Sequence, residues 1–378
     1  MKKLISLLLC ICFAACLPAA AAHADEYELS AQSAILLCAD TGDILYEKNA
    51  DEKMLIASIT KVMTAIIVIE NCDMDEKIKI KPEWSTVEGS SMYLKPDEYY
   101  TVSEILTGLL LVSGNDAATA LACSMCGDEP SFAAKMNEKA KELGMTNSSF
   151  RNPHGLDAPE HYSTARDMAI LASYCMENEE FRRIASTSCA TVKDQTYVNH
   201  NRLLREYEGC IGVKTGYTMA AGRTLISCAE RNGMRLVCVT LNAPDDWNDH
   251  RYLLDSGFED YRMAAYSDNN FKVCLDVASA ANGTADAVPQ NDIKILTKAD
   301  DEIDVKLEAP RILFAGGIKG EKVGEIHVFV NGELAASENL VYTDNVKQDN
   351  DRQLSIQERI GKWFGSALRP YYIAGEEK

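Results

Sequence analysis

Basic residues are scarce in this 378-residue chain: 38 Lys and Arg stand against 57 Asp and Glu, a formal net charge of −19 at pH 7. Binding nucleic acid through its phosphates needs the opposite sign, so that class is set aside. Long apolar runs are missing as well. The N-terminal one, Leu4 to Leu17, falls short of the roughly 18 residues that span a bilayer, and no later stretch reaches that length. This argues against a polytopic membrane protein. Nor does a second cysteine pair accompany Cys123-Ser124-Met125-Cys126, which lies in an Ala-rich helical stretch, so that spacing reads as ordinary core and no zinc site is expected. What remains is 47% hydrophobic and 25% charged, a globular chain long enough for two or three units at about 150 residues each.

The N-terminus carries Lys2-Lys3, the apolar run, then Ala22-His23-Ala24, which is the order of a secretory signal over residues 1–24. The mature chain is expected to begin near Asp25, with 36 basic residues against 57 acids and a charge of −21. Phe13-Ala14-Ala15-Cys16 also resembles a lipoprotein cleavage box with Phe in place of the usual Leu, which leaves lipidation of Cys16 open. Three of the thirteen cysteines fall in this segment. Cys38, Cys228 and Cys238 sit in apolar strand segments and read as small core residues, and exported free thiols suggest a compartment that is not strongly oxidising.

Beyond the signal, Ala34–Cys38 and Asp43–Tyr46 flank the turn signal Asp40-Thr41-Gly42 and predict a hairpin. From Ser58 to Glu70 apolar residues occupy nearly every face, which in a soluble protein means a buried helix. Residues 102–182 read as a helical lobe, in which Phe132, Met136, Ala140 and Leu143 recur at helical spacing before Gly144. Strands return at 211–215, 224–228 and 236–241, and a helix over about 249–256 is expected to close at Gly257-Phe258. Strands, helices, strands and a helix in that order predict an α+β fold, whose sheet collects strands from both ends of the unit. Alternation at Ile303-Val305-Leu307 and Ile326-Val328-Val330, with the turn Asn331-Gly332, predicts a small β-sandwich over 268–345. In 352–370, Ile356, Ile360, Trp363, Phe364, Ala367 and Leu368 share one helical face flanked by Arg352, Arg359, Lys362 and Arg369. That is the pattern of a helix lying on anionic headgroups, with packing on its own domain as the alternative.

Chemistry concentrates in three places. Ser58-Ile59-Thr60-Lys61 sets a hydroxyl and an amine one turn apart at the start of the buried helix. A serine needs a base to become a nucleophile, and a lysine can serve once burial and a nearby cation lower its proton affinity. Alone the spacing is weak, since average composition yields on the order of one chance match in such a chain. Ser113-Gly114-Asn115 follows an apolar run and begins a turn that projects a hydroxyl and an amide. Lys214-Thr215-Gly216 ends a strand, with Gly216 permitting close backbone approach. All three together, in this order, resemble the signature set of the penicillin-binding proteins and serine β-lactamases, with Gly114 where that set has Asp.

With Ala57-Ser58-Ile59-Thr60-Lys61, Ser113-Gly114-Asn115-Asp116-Ala117-Ala118, Asn152-Pro153-His154-Gly155-Leu156-Asp157, His161-Tyr162-Ser163-Thr164-Ala165-Arg166-Asp167 and Gly212-Val213-Lys214-Thr215-Gly216-Tyr217-Thr218, the chain resembles the low-molecular-mass serine D-alanyl-D-alanine carboxypeptidases from about Leu29 to Tyr261. The resemblance implies a β-lactamase/transpeptidase-like catalytic domain over 25–265, an antiparallel sheet with helices plus the helical lobe. It further implies Ser58 as the acylated nucleophile, Lys61 as its base, Ser113 as a proton relay, and Asn115 holding Lys61 and the substrate amide. Lys214 would supply positive charge, Thr215 would bind the substrate carboxylate, Gly216 would allow close approach, and the Ser58 and Tyr217 N–H groups would form an oxyanion hole.

The expected reaction is removal of the terminal D-alanine from a peptidoglycan stem peptide ending in D-Ala-D-Ala, at the outer face of the cytoplasmic membrane, without cofactor or metal. β-Lactam antibiotics are expected to acylate Ser58. Tyr217 stands where some members have His. His154 and His161 read as structural, and Arg251 as a possible carboxylate partner. Two rivals remain: a β-lactamase, against which stands the absence of a Glu-x-x-Leu-Asn tetrad between Asn115 and Lys214, and a non-catalytic penicillin sensor, which would need a signalling domain.

Overall fold

The computed structural model describes residues 27–267, 270–278, 280–310 and 313–348, with the backbone of 371–374. The segments expected to be a signal peptide and a membrane-associating helix lie outside them. Strands β1 (Ser33–Cys38), β2 (Ile44–Lys48), β3 (Cys210–Thr218), β4 (Gly222–Arg231) and β5 (Met234–Leu241) form one antiparallel sheet in the order β2-β1-β5-β4-β3. The expected meeting of early and late strands is thus present, and β3 stands at the free edge.

Both faces of this sheet are covered, which explains strands that are apolar rather than alternating. Ile35 and Leu37 of β1 turn to the helical side with Ile226, Val237 and Val239, while Ala34, Leu36 and Cys38 turn to the other face with Leu253 and Leu254. Those two leucines belong to a helix, Asp246–Asp260, that the sequence was expected to stop at Gly257. The helix runs on instead. A Cβ on Gly257 would lie 2.6 Å from Leu236 Cδ1 and 2.9 Å from Leu36 Cδ2, so the glycine is there for close packing on the sheet, not as a stop.

On the helical side, α1 (Lys61–Asn71), entered through a 3-10 turn at Ala57–Thr60, is buried along Lys61 to Val68. Around it pack α2 (Val102–Leu111), α3 (Asn115–Cys126), α4 (Glu129–Glu142), α5 (Ala165–Glu177) and α6 (Glu179–Ala185). Their starts follow from local chemistry: Thr101 and Glu104 make a capping box, and Asp128, Thr164 and Asn178 each accept the N–H three residues on. Burying each of Ile66, Ile67 and Val68 contributes roughly 1.5–3 kcal/mol, so α1 is held by the lobe rather than by helix propensity.

After the Asp246–Asp260 helix the chain enters β6 (Tyr261–Tyr266), which pairs with β9 (Ile293–Lys298). The remaining strands, β7 (Val273–Ala278), β8 (Thr284–Pro289), β10 (Ile303–Ala309), β11 (Leu313–Phe314), β12 (Lys322–Val330), β13 (Glu333–Tyr342) and β14 (Tyr371–Ala374), form a seven-stranded sheet in the order β11-β7-β8-β13-β12-β10-β14. Asn331 (φ 52°) and Gly332 (φ 83°) make the expected tight turn between β12 and β13. No helix among the described residues is long and apolar enough to cross a membrane.

Candidate active site

The 57–60 turn that presents Ser58 is pressed from two sides. Gly155, at φ 87°, packs so closely that a Cβ would fall 2.0 Å from Ala57 O, and this loop is self-braced: Asn152 Oδ1 accepts Gly155 N at 2.7 Å and Asn152 Nδ2 donates to Leu156 O at 2.9 Å. From the other side β3 arrives. A Cβ on Gly216 would lie 2.9 Å from Ser58 N and 3.1 Å from Ile59 N, so the Lys214-Thr215-Gly216 backbone runs against the serine. Thr224 Oγ1, on the next strand, donates to Ile56 O at 3.0 Å.

Lys61 Nζ donates to Ser58 Oγ at 2.9 Å and to His154 O at 2.5 Å. Its side chain is wholly buried and Lys214 is 1% exposed, whereas Ser58 is half-buried and opens to solvent. Two amines therefore share a dry region beside one accessible hydroxyl. Burial pushes the Lys61 ammonium well below the usual lysine range, the nearby Lys214 charge pushes it further down, and the carboxylate of Asp116 opposes both. Burial alone brings Lys214 down to about 7, and its Nζ donates to Thr215 O at 2.8 Å.

Ser113, at φ 63°, and Asn115 stand at the start of α3, 4% and 3% exposed, beside the Asp116 whose charge acts on Lys61. Asn115 Nδ2 donates to Glu88 O at 2.5 Å, while Asn115 Oδ1 and Ser113 Oγ have no partner among the described residues. A buried amide oxygen and hydroxyl without partners are costly unless a ligand completes them. Thr215 and Gly216 are half-buried, Tyr217 is 65% exposed, and Thr218 Oγ1 donates to Asp157 Oδ1 at 3.0 Å. Of the eight residues expected at the site, Ser58 and Lys61 meet the Lys214–Tyr217 end of β3 at the open end of α1, whereas Ser113 and Asn115 stand at the start of α3 and make no hydrogen bond to Lys61, so the expected hold of Asn115 on Lys61 is not formed. The arrangement can take a proton from Ser58, hold an extended ligand along β3, and stabilise negative charge beside the Ser58 N–H.

Arg251 is elsewhere: its guanidinium is engaged by Glu206 Oε2 at 2.5 Å and Asn248 Oδ1 at 3.2 Å, so it is not free to take a carboxylate. His154 contributes its carbonyl to Lys61, and His161 lies beneath the turn with Nε2 2.9 Å from Thr60 Oγ1 and Nδ1 accepting Arg151 N at 3.1 Å. Sequence reasoning missed Glu88, whose carbonyl carries Asn115, because a backbone acceptor leaves no mark on residue type.

Burial holds His161 neutral, pushed down to about 4, and His250, between Ser227 Oγ and Thr240 Oγ1, down to about 3. Both folded values lie below the unfolded one near 6.5, so the unfolded chain binds more protons between them. Stability is therefore fully present above about pH 6.5 and is lost as pH falls toward 4 and then 3. Thermal unfolding followed from pH 7 to pH 4 should show a falling midpoint, with a shallower fall in His161→Gln. A midpoint independent of pH in that window would contradict the assignment.

A family model described as D-alanyl-D-alanine carboxypeptidase matches residues 19–245. D-alanyl-D-alanine carboxypeptidase DacF of Bacillus subtilis is 35% identical over 371 residues, covering 92% of this chain and 95% of that protein. DacC of Escherichia coli, of the same name, is 34% identical over 372 residues, covering 89% and 90%. Among solved structures, penicillin binding protein 5 from Haemophilus influenzae aligns with a TM-score of 0.68 at 28% identity, over 85% of this chain and 99% of that one. The Streptomyces K15 DD-transpeptidase aligns at 0.59 and 33% identity, over 61% of this chain and 98% of that one.

Proposed function

Because the chain belongs to the D-alanyl-D-alanine carboxypeptidase family and is a serine-type enzyme of that activity, we propose that Ser58 is its nucleophile, Lys61 the base, and Lys214-Thr215-Gly216 the strand that holds the substrate. The observation that carries this assignment is the 2.9 Å bond from a wholly buried lysine to a half-buried serine, with a second buried lysine beside it. Lys61 in its neutral form accepts the Ser58 proton as the hydroxyl oxygen attacks the carbonyl of the penultimate D-alanine. The developing oxyanion lies against the Ser58 and Tyr217 N–H groups, donors fixed before reaction. Ser113 Oγ, buried and unpartnered, passes the proton to the leaving amine, and D-alanine departs. Water then releases the shortened peptide by the same proton path in reverse. Asn115 Oδ1, the other unpartnered acceptor, takes an N–H of the substrate.

Thr215 and the Lys214 charge receive the terminal carboxylate, which also fits a β-lactam, so penicillin is a covalent ligand of Ser58. Catalysis is assigned to 25–265. Residues 268–345 form the supporting β-domain, and the basic amphipathic stretch 352–370 a membrane contact on the outer face of the cytoplasmic membrane. Purified protein given diacetyl-L-Lys-D-Ala-D-Ala should release D-alanine. Absence of release with intact penicillin labelling would instead indicate a sensor.

A further inference from the structure

Asp116 follows Asn115 and is wholly buried, yet among the described residues no cation pairs with it. Its Oδ1 accepts Met92 N at 3.0 Å and Ala117 N at 2.9 Å, and its Oδ2 accepts Ser91 Oγ at 2.7 Å and Leu94 N at 3.0 Å. Four donors converge on two oxygens at the N-terminal turn of α3, which is how a protein stabilises a buried carboxylate without a counter-ion. The space is cut to fit. A Cβ on Gly114 would lie 2.8 Å from Asp116 Oδ1 and 3.0 Å from Met92 N, so a side chain there would displace the carboxylate.

What these bonds hold is the segment from Glu88 to Leu94, and that segment is the wall on which Asn115 rests. Ser90 O accepts Asn115 N at 2.7 Å, Glu88 O accepts Asn115 Nδ2 at 2.5 Å, and a Cβ on Gly89 would lie 2.7 Å from Asn115 Nδ2. Tyr197 Oη pins the far side by donating to Met92 O at 2.7 Å. Within the segment Tyr93 is held at φ 60°, an unfavourable conformation for a bulky residue, with its N–H on Ser91 Oγ. Burial of a charge and local strain are both costs, and here both fall on the segment against which Asn115 rests.

We propose that Asp116 is a positioning residue of the reaction: it locks the Glu88–Leu94 wall against Asn115. The inference rests on the Ser58–Lys61 reading above. The groups that act on Lys61 come from every side: Lys214 from β3, Asp116 from α3, the His154 carbonyl with Glu129 beyond its ring, and His161 through Thr60. Lys214 favours the neutral amine and Asp116 the ammonium. Asp116 thus keeps the base from becoming too weak to take the serine proton, and its removal lowers the pH at which Lys61 becomes neutral.

The test uses the full chain and the pH dependence of kcat/KM for D-alanine release from diacetyl-L-Lys-D-Ala-D-Ala, in parent, Asp116→Asn and Asp116→Glu. The Asn variant should move the acidic limb to lower pH while the plateau falls several-fold. The Glu variant, which keeps the charge but not the fit, should lower the plateau and leave the limb in place. A plateau loss with the limb unmoved in Asp116→Asn, or equal shifts in both variants, overturns the electrostatic role. Should the Asn variant fail to fold, Ser91→Ala decides the positioning role: KM should rise about 3–10-fold with the folded state retained, and unchanged kinetics overturn it. Failure of the parent to release D-alanine would sink the underlying assignment instead.

Discussion

Lys61→Ala should reduce D-alanine release by at least about 10³-fold, and Ser58→Ala should abolish both release and penicillin labelling. The two losses differ in kind. Without Ser58 no acyl-enzyme forms, whatever the state of the base. Without Lys61 the hydroxyl remains but the amine 2.9 Å away that takes its proton is gone, so slow labelling survives at high pH, where solvent hydroxide substitutes. The magnitude follows from the environment and not only from the contact. An exposed lysine would hold its proton at neutral pH, whereas this one is wholly buried beside Lys214, both of which favour the neutral amine. Release within tenfold of the parent in Lys61→Ala, measured by D-alanine oxidase assay, would show that another group is the base.

Gly216→Ala should cost about 10²-fold or more in kcat/KM while leaving the chain folded. The added methyl would stand 2.9 Å from Ser58 N and 2.4 Å from Thr224 Oγ1. It would occupy the space in front of a proposed oxyanion donor, and loss of one such donor costs on the order of 10²–10³ in kcat. Gly216 is not in the left-handed region, so the backbone itself can accept alanine and the effect reports on space. Labelling with fluorescent penicillin gives a direct reading, since acylation passes through the same tetrahedral stage. Acylation and turnover within threefold of the parent would remove the N–H of Ser58 from the oxyanion hole.

Much of this architecture is legible in residue order. The turn at Asp40-Thr41-Gly42, the buried character of 58–70 and the Asn331-Gly332 turn follow from short-range sterics and from the match between apolar period and burial. Gly257 is where local reasoning fails. A glycine near a helix end signals a stop, but here Leu36 and Leu236 leave no room for a Cβ, and packing decides against the local signal. Arg251 fails for a similar reason: a free guanidinium in the sequence is a paired one in the fold, facing Glu206.

At the site, residue order already contains the parts: a hydroxyl and an amine one turn apart, a serine and an amide at a helix start, a cation and a glycine at a strand end. Tertiary structure alone decided that the amine is dry, that Lys214 lies near enough to weaken its hold on a proton, and that Asp116 pulls the other way. The reason is physical. Residue type and spacing are properties of neighbours along the chain, whereas proton affinity depends on every charge and every excluded water within several ångströms. In this fold those come from α1, α3, β3 and the Asn152–Leu156 loop at once.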